Sequence, residues 1–136
     1  MTMRLPWTAV MIKKLPHFTD TQILVARPSK NPVNPRVPYA CLLEEEYSTR
    51  GYVEQVATIF LTNRECPFRC LMCDLWKNTT DDSIDRGDIP AQIDYAFHKL
   101  GIEAALNAGE IGQVKLYNSG NFFDARAITK EDWPMI

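Results

Sequence analysis

The sequence predicts an α/β fold organised around a parallel βαβ unit, and three observations carry that prediction. Val56-Ala-Thr-Ile-Phe-Leu61 is a near-continuous, partly β-branched apolar run, the pattern of a strand buried on both faces of a parallel sheet. Ile89, Ile93, Ala96, Phe97 and Leu100 recur at helical spacing and form one apolar stripe. Val114-Lys-Leu-Tyr117 reads as a second strand, closed by the turn Asn118-Ser119-Gly120. Strand, helix and strand in that order give a parallel pair with a right-handed crossover in nearly all proteins.

Taken from the start, residues 1–53 read as an N-terminal extension. Its short apolar piece, Leu5–Ile12, lacks a basic flank before it, and Lys13-Lys14 follows where a small-residue cleavage site would stand. It is therefore not expected to act as a signal peptide. Thr19-Asp20 caps a short helix over Thr21–Ala26. Pro28, Pro32, Pro35 and Pro38 then impose extended or turn conformations. Cys41 sits in Tyr39-Ala-Cys-Leu-Leu, where a buried small hydrophobe is the default for a free cysteine and a fourth metal ligand is the alternative. Glu44-Glu45-Glu46 is expected to be a solvated face, and Ser48-Thr-Arg-Gly51 a turn into the first buried strand.

Beyond that strand, Asn78 to Gly87 is a polar surface loop. Asp88 is expected to cap the helix, with Pro90 tolerated in its first turn. Gly101 ends the helix, and Ile102, Ala105 and Leu106 form a second short piece that stops near Gly109. Thr129-Lys-Glu-Asp132 has the signature of one more helix start.

A chain of 136 residues suits one domain. A net charge of −2 leaves no basic footprint for nucleic acid. No apolar run approaches the roughly 18 residues of a membrane span. Four cysteines, three of them clustered, fit a reducing cytoplasm and a metal better than a secreted disulfide framework.

That cluster is Cys66-Pro-Phe-Arg-Cys70-Leu-Met-Cys73, spaced C-x3-C-x2-C. Thiolates are soft ligands that select iron–sulfur clusters, zinc or copper(I). Three close along the chain can enclose one metal centre and leave a coordination position open, which is where metal sites do chemistry. A structural zinc site completed by Cys41 or His98 is one alternative, and a four-thiolate electron-transfer cluster is another. Zinc sites usually add a second, distant thiol pair, and ferredoxin clusters a fourth cysteine at a set distance. Neither pattern is visible here. The strand order gives the loop a neighbour, because both it and Asn118-Ser119-Gly120 follow strands that lie about 4.8 Å apart. They should share the sheet edge where α/β barrels keep their active sites.

With Met72 before its last cysteine, the motif resembles the cluster loop of the radical S-adenosylmethionine (SAM) superfamily. The run from Phe60 to Trp76 and the string Lys115–Asp124 are most similar to its Elongator catalytic-subunit-like and archaeosine-synthase-like branch. The resemblance spans about residues 54–128. It implies that Cys66, Cys70 and Cys73 bind three irons of a [4Fe-4S] cluster whose fourth iron takes SAM. The reaction it implies is reductive cleavage of SAM to a 5′-deoxyadenosyl radical, with flavodoxin or ferredoxin as reductant and tRNA or a nucleoside as substrate. It places the Met72 backbone near the adenine and Asn118, Ser119 and Gly120 at the SAM amino group, where Asn-Ser-Gly replaces the commoner Gly-Gly-Glu. Arg69 is either a neutralising cation for this site or a plain surface charge, Trp76 is packing, and His17 and His98 have no role.

The implied fold is the N-terminal portion of a partial (β/α)6 TIM-like barrel. Residues 54–136 would hold its first two β/α units, behind the irregular Pro-rich extension. A full (β/α)8 barrel takes about 250 residues, so a fragment or truncated copy is expected, weak or inactive alone.

Overall fold

The centre of the molecule is a strand with little polar surface to offer water. In the computed structural model, which describes residues 16–136, β2 (Val53–Phe60) lies between β1 (Ala40–Tyr47) and β3 (Ile111–Tyr117). The expectation about Leu5–Ile12 lies outside the described residues. β1 runs antiparallel to β2, from Ala40 opposite Phe60 to Tyr47 opposite Val53. β3 runs parallel to β2, with Thr58 beside Lys115 and Phe60 beside Tyr117. The fold is α/β with an open, mixed three-stranded sheet.

Helices α2 (Asp88–Leu100) and α3 (Ile102–Asn107) connect β2 to β3. Alternation along β2 sends Ala57, Ile59 and Leu61 into one core with Ile84, Ile89, Ala96, Ile102, Ile111, Ala127 and Ile128. Burying an aliphatic side chain of this size is worth about 1.5–3 kcal/mol. This core is the largest favourable term in the fold. Gly101 separates the two helices in the left-handed conformation (φ 63°), which glycine adopts without the cost a Cβ imposes. The helix end expected there is in place.

The opposite face of the sheet carries Glu44 and Glu46 of β1, Val56, Thr58 and Phe60 of β2, and Lys115 and Tyr117 of β3. Thr58 donates to Glu44, and Lys115 pairs with Glu46. The rings of Tyr39, Phe60 and Tyr117 form a row with centroids 5.7 and 5.5 Å apart.

Three details depart from the sequence expectations. The acidic run is not merely a solvated face, because it lies in a strand, β1, that sequence alone does not assign. The N-cap of α2 is Gly87 rather than Asp88. Asp88 is the first helical residue, and its carboxylate accepts from the Asp85 N–H at 3.0 Å and pairs with Arg36 at 3.2 Å. Finally, Thr129 occupies an N-cap position, but its hydroxyl makes no cap bond and the segment Lys130–Met135 is a 3-10 helix. The carboxylate that a capping box would use is engaged elsewhere: Asp132 accepts from Gly87 N–H at 2.9 Å.

Helix α1 (Asp20–Ala26) has the expected start, with Thr19 and Gln22 forming a reciprocal capping box. The Pro-rich stretch after it is irregular up to β1 and is held by a buried side chain from α2. Gln92 accepts from Thr62 N–H at 2.7 Å and donates to the carbonyls of Thr62 at 2.8 Å and Pro35 at 2.6 Å. Among the described residues, no helix is long and apolar enough to cross a membrane. Replacing Gln92 by Leu keeps the volume and strands three backbone groups without partners, so urea unfolding should show a loss of about 2–4 kcal/mol.

Candidate functional site

β2 ends at Phe60, and three buried residues, Leu61, Thr62 and Asn63, carry the chain to the cysteine loop. The loop is pinched at its base. Thr80 N–H donates to the Asn63 carbonyl at 3.0 Å, and Glu65 N–H donates to the Thr80 carbonyl at 3.1 Å. Residues 64–80 therefore leave and rejoin the body of the protein at one place.

The neighbouring strand delivers its turn to the same place. Asn63 Nδ2 donates to the Ser119 carbonyl at 3.0 Å, and Ser119 N–H donates to Asn63 Oδ1 at 3.1 Å. Both residues are buried, so these two bonds clasp the ends of β2 and β3 together away from water. Gly120 then passes directly against the first cysteine. A Cβ at position 120 would lie 3.0 Å from Cys66 Cβ and 3.2 Å from its Sγ, and the backbone there has φ 103°. Only glycine meets both conditions without displacing the thiol. Asn118 Nδ2 is buried beside this turn without a hydrogen-bond partner.

Cys66, Cys70 and Cys73 are all free thiols; Cys70 is exposed and the other two are half-buried. They are not gathered round a single point. Cys66 lines a cleft of about 300 Å³ with Arg64, Glu65, Arg69, Asp124 and Arg126. Cys73 lines a second cleft, of about 320 Å³, with Ile23, Arg27, Met72 and Trp76. Among the described residues, no three Cys, His, Asp or Glu side chains are arranged to hold a metal ion. Between the outer cysteines the chain reverses at Arg69, whose φ of 48° is uncommon for a residue with a Cβ. Arg69 makes a long ion pair with Asp20 at 3.4 Å. Phe68, Leu71 and Met72 expose their side chains on the same loop. Three adjacent apolar side chains facing water are more informative than a lone one.

Cys41 is half-buried and packs against the core from β1. His17 and His98 are exposed. Trp76 is buried, and its indole N–H donates to the Cys73 carbonyl at 3.0 Å.

No protein family, curated protein or solved structure matches this chain.

Three soft thiolate donors on one loop, with the space that Gly120 leaves beside Cys66, are the donor type that a thiolate-bound metal centre requires. Charge is managed next to the first thiol. Glu65, which precedes Cys66, accepts from Arg27 at 2.7 Å and pairs with Lys30 at 2.8 Å. Burial by itself would push its carboxyl up, but hydrogen bonds and attraction from Lys30 and Arg27 outweigh that and hold it below the ordinary range. Lys30 is raised despite its own burial, because Asp81 and Glu65 both stabilise its charge. Sequence alone does not single out Asn63, Glu65, Arg27 or Lys30. Their partners lie 38 or more residues away for the Arg27–Glu65 and Asn63–Ser119 contacts, and no local pattern encodes such a pairing.

Two outcomes follow from these contacts. Asn63→Ala should cost about 2–4 kcal/mol in urea unfolding, since it leaves both backbone groups of Ser119 buried and unpaired. Glu65 has a lowered folded-state pKa, so its contribution is present above the ordinary value of 4.5 and is lost as pH falls through the folded value. Glu65→Gln should therefore flatten the acid-side loss of stability relative to wild type. Parallel curves for the two proteins would contradict this.

Proposed function

We propose that this chain binds a [4Fe-4S] cluster through Cys66, Cys70 and Cys73 and works as the cofactor-binding part of a radical SAM enzyme. The observation that carries the reading is the meeting of two loops at the carboxyl ends of neighbouring parallel strands. One brings three free thiols within eight residues, and the other brings a glycine that leaves space against the first thiol. That edge is where α/β folds place ligands. β2, the helices after it and β3 then correspond to the opening of a partial (β/α)6 TIM-like barrel.

Each residue has a definite task. The three thiolates leave one iron for SAM. The turn Asn118-Ser119-Gly120 would hold the SAM amino group, with the Ser119 N–H already given to Asn63, whose clasp keeps that turn in position. The Met72 backbone would lie near the adenine, on the loop that exposes the side chains of Phe68, Leu71 and Met72. When bound, the cluster supplies the electron that cleaves the sulfonium. Arg27 and Lys30 neutralise Glu65, which would otherwise place a carboxylate charge beside an anionic centre. The electron comes from a flavodoxin or ferredoxin in the cytoplasm. The resemblance to the Elongator-like branch directs the substrate reading to tRNA or nucleoside modification.

The reading is tested by anaerobic reconstitution with iron and sulfide. The expected product binds about four irons and absorbs broadly near 400 nm. Cys66→Ala, Cys70→Ala and Cys73→Ala should each abolish this, whereas Cys41→Ala should not. One tightly held zinc and no colour would show a zinc-binding module instead. A cluster needing four protein thiolates would show an electron-transfer module.

A further inference from the structure

Arg27 lies in the extension, 39 positions before the first thiol of the loop by the numbering of Cys66, yet it reaches both ends of that loop. Its Nη1 donates to Glu65, the residue that precedes Cys66, at 2.7 Å. Its guanidinium carbon lies 4.7 Å from the ring centroid of Trp76. The same indole donates its N–H to the Cys73 carbonyl at 3.0 Å. One side chain thus connects the neighbour of the first thiol to the backbone of the last.

We propose that Arg27 is a positioning residue that fixes the separation of Cys66 and Cys73, making the N-terminal segment part of the thiol site. The chemistry of the side chain suits the task. A guanidinium is planar and delocalised, so it can stack on a ring while an edge N–H bonds a carboxylate; an ammonium cannot do both in this way. The contact is also shielded. The side chains of Arg27 and Glu65 are 11% and 18% exposed, so salt screens the pair less than one on the open surface.

Adjacent contacts support the bracket without duplicating it. Lys30 holds the other oxygen of Glu65 at 2.8 Å and Asp81 at 2.6 Å. Asn31 N–H donates to the Lys77 carbonyl at 2.8 Å, and its side-chain amide donates to Asn78 at 2.9 Å. α1 itself buries no residue. The segment is therefore attached to the loop by polar bonds at defined points, and Arg27 alone among these spans from the first-thiol end to the last.

The inference about metal rests on the proposed function, but the bracket itself is read without metal. The test is amide hydrogen exchange on the full, metal-free chain. Arg27→Gln should speed exchange across residues 65–77 and leave β2 and α2 at wild-type rates. Arg27→Lys, which keeps the charge for Glu65 but stacks poorly, should restore protection near Cys66 and not around Cys73. Lys30→Gln should affect the Glu65 end alone. Unchanged exchange in 65–77 for Arg27→Gln, or a uniform rise through the whole chain, overturns the proposal. After anaerobic reconstitution, Arg27→Gln should lose iron to a chelator about 10-fold faster or more, the scale of lost outer-shell support. Wild-type iron retention in that variant also overturns the positioning role. If the wild-type protein takes up no iron but the exchange pattern holds, the cluster reading fails while the bracket stands.

Discussion

Everything at the candidate site depends on the parallel pairing of β2 and β3. β2 is too apolar to lie at a wet edge, so it takes the middle of the sheet with its helices on one side. A parallel neighbour then has to begin at the far end, after a crossover, and must finish at the same edge as β2. Two segments with unusual composition, the thiol loop and Asn118-Ser119-Gly120, are carried to one place by this requirement alone. Asn63 converts proximity into registration. Its side chain takes both backbone groups of Ser119 where no water competes, and Gly120 is thereby held against Cys66.

The two faces of the sheet are stabilised by different physics. On the helical face, close-packed aliphatic side chains supply non-directional burial. On the other, carboxylates, a lysine, a threonine and a row of rings supply directional contacts. The Pro-rich segment belongs to neither layer. It is secured by individual polar groups, the buried Gln92 at one point and the half-buried Glu65 at another, so its placement depends on a few specific bonds rather than on area.

What could be read from the sequence follows from which interactions are local. The β2 run, the α2 stripe, the Gly101 break and the Thr19 cap are patterns a few residues long, and each appears where expected. The meeting of the two loops was also legible, because it needs only strand order. β1 was hidden by composition: Ala-Cys-Leu-Leu-Glu-Glu-Glu-Tyr looks like a solvated charge run until the side chains of Thr58 and Lys115 are seen to reach Glu44 and Glu46. Asp132 and Thr129 show the same limit. Their spacing is that of a capping box, but Asp132 instead serves the N-terminus of a helix 45 residues earlier. Asn63 and Arg27 act on partners distant in sequence, and nothing around them announces it.

The sheet order β1-β2-β3 leaves each outer strand with one margin of amide and carbonyl groups not used by β2. The two margins are defended unequally. β1 has three consecutive glutamates, and with Glu46 paired to Lys115 two of these charges remain to discourage a second extended chain from lying alongside. β3, Ile-Gly-Gln-Val-Lys-Leu-Tyr, has one charge in seven residues, and that lysine is already paired to Glu46. Of the two margins, the one beyond β3 carries the fewer charges, and it lies next to the turn that faces Cys66.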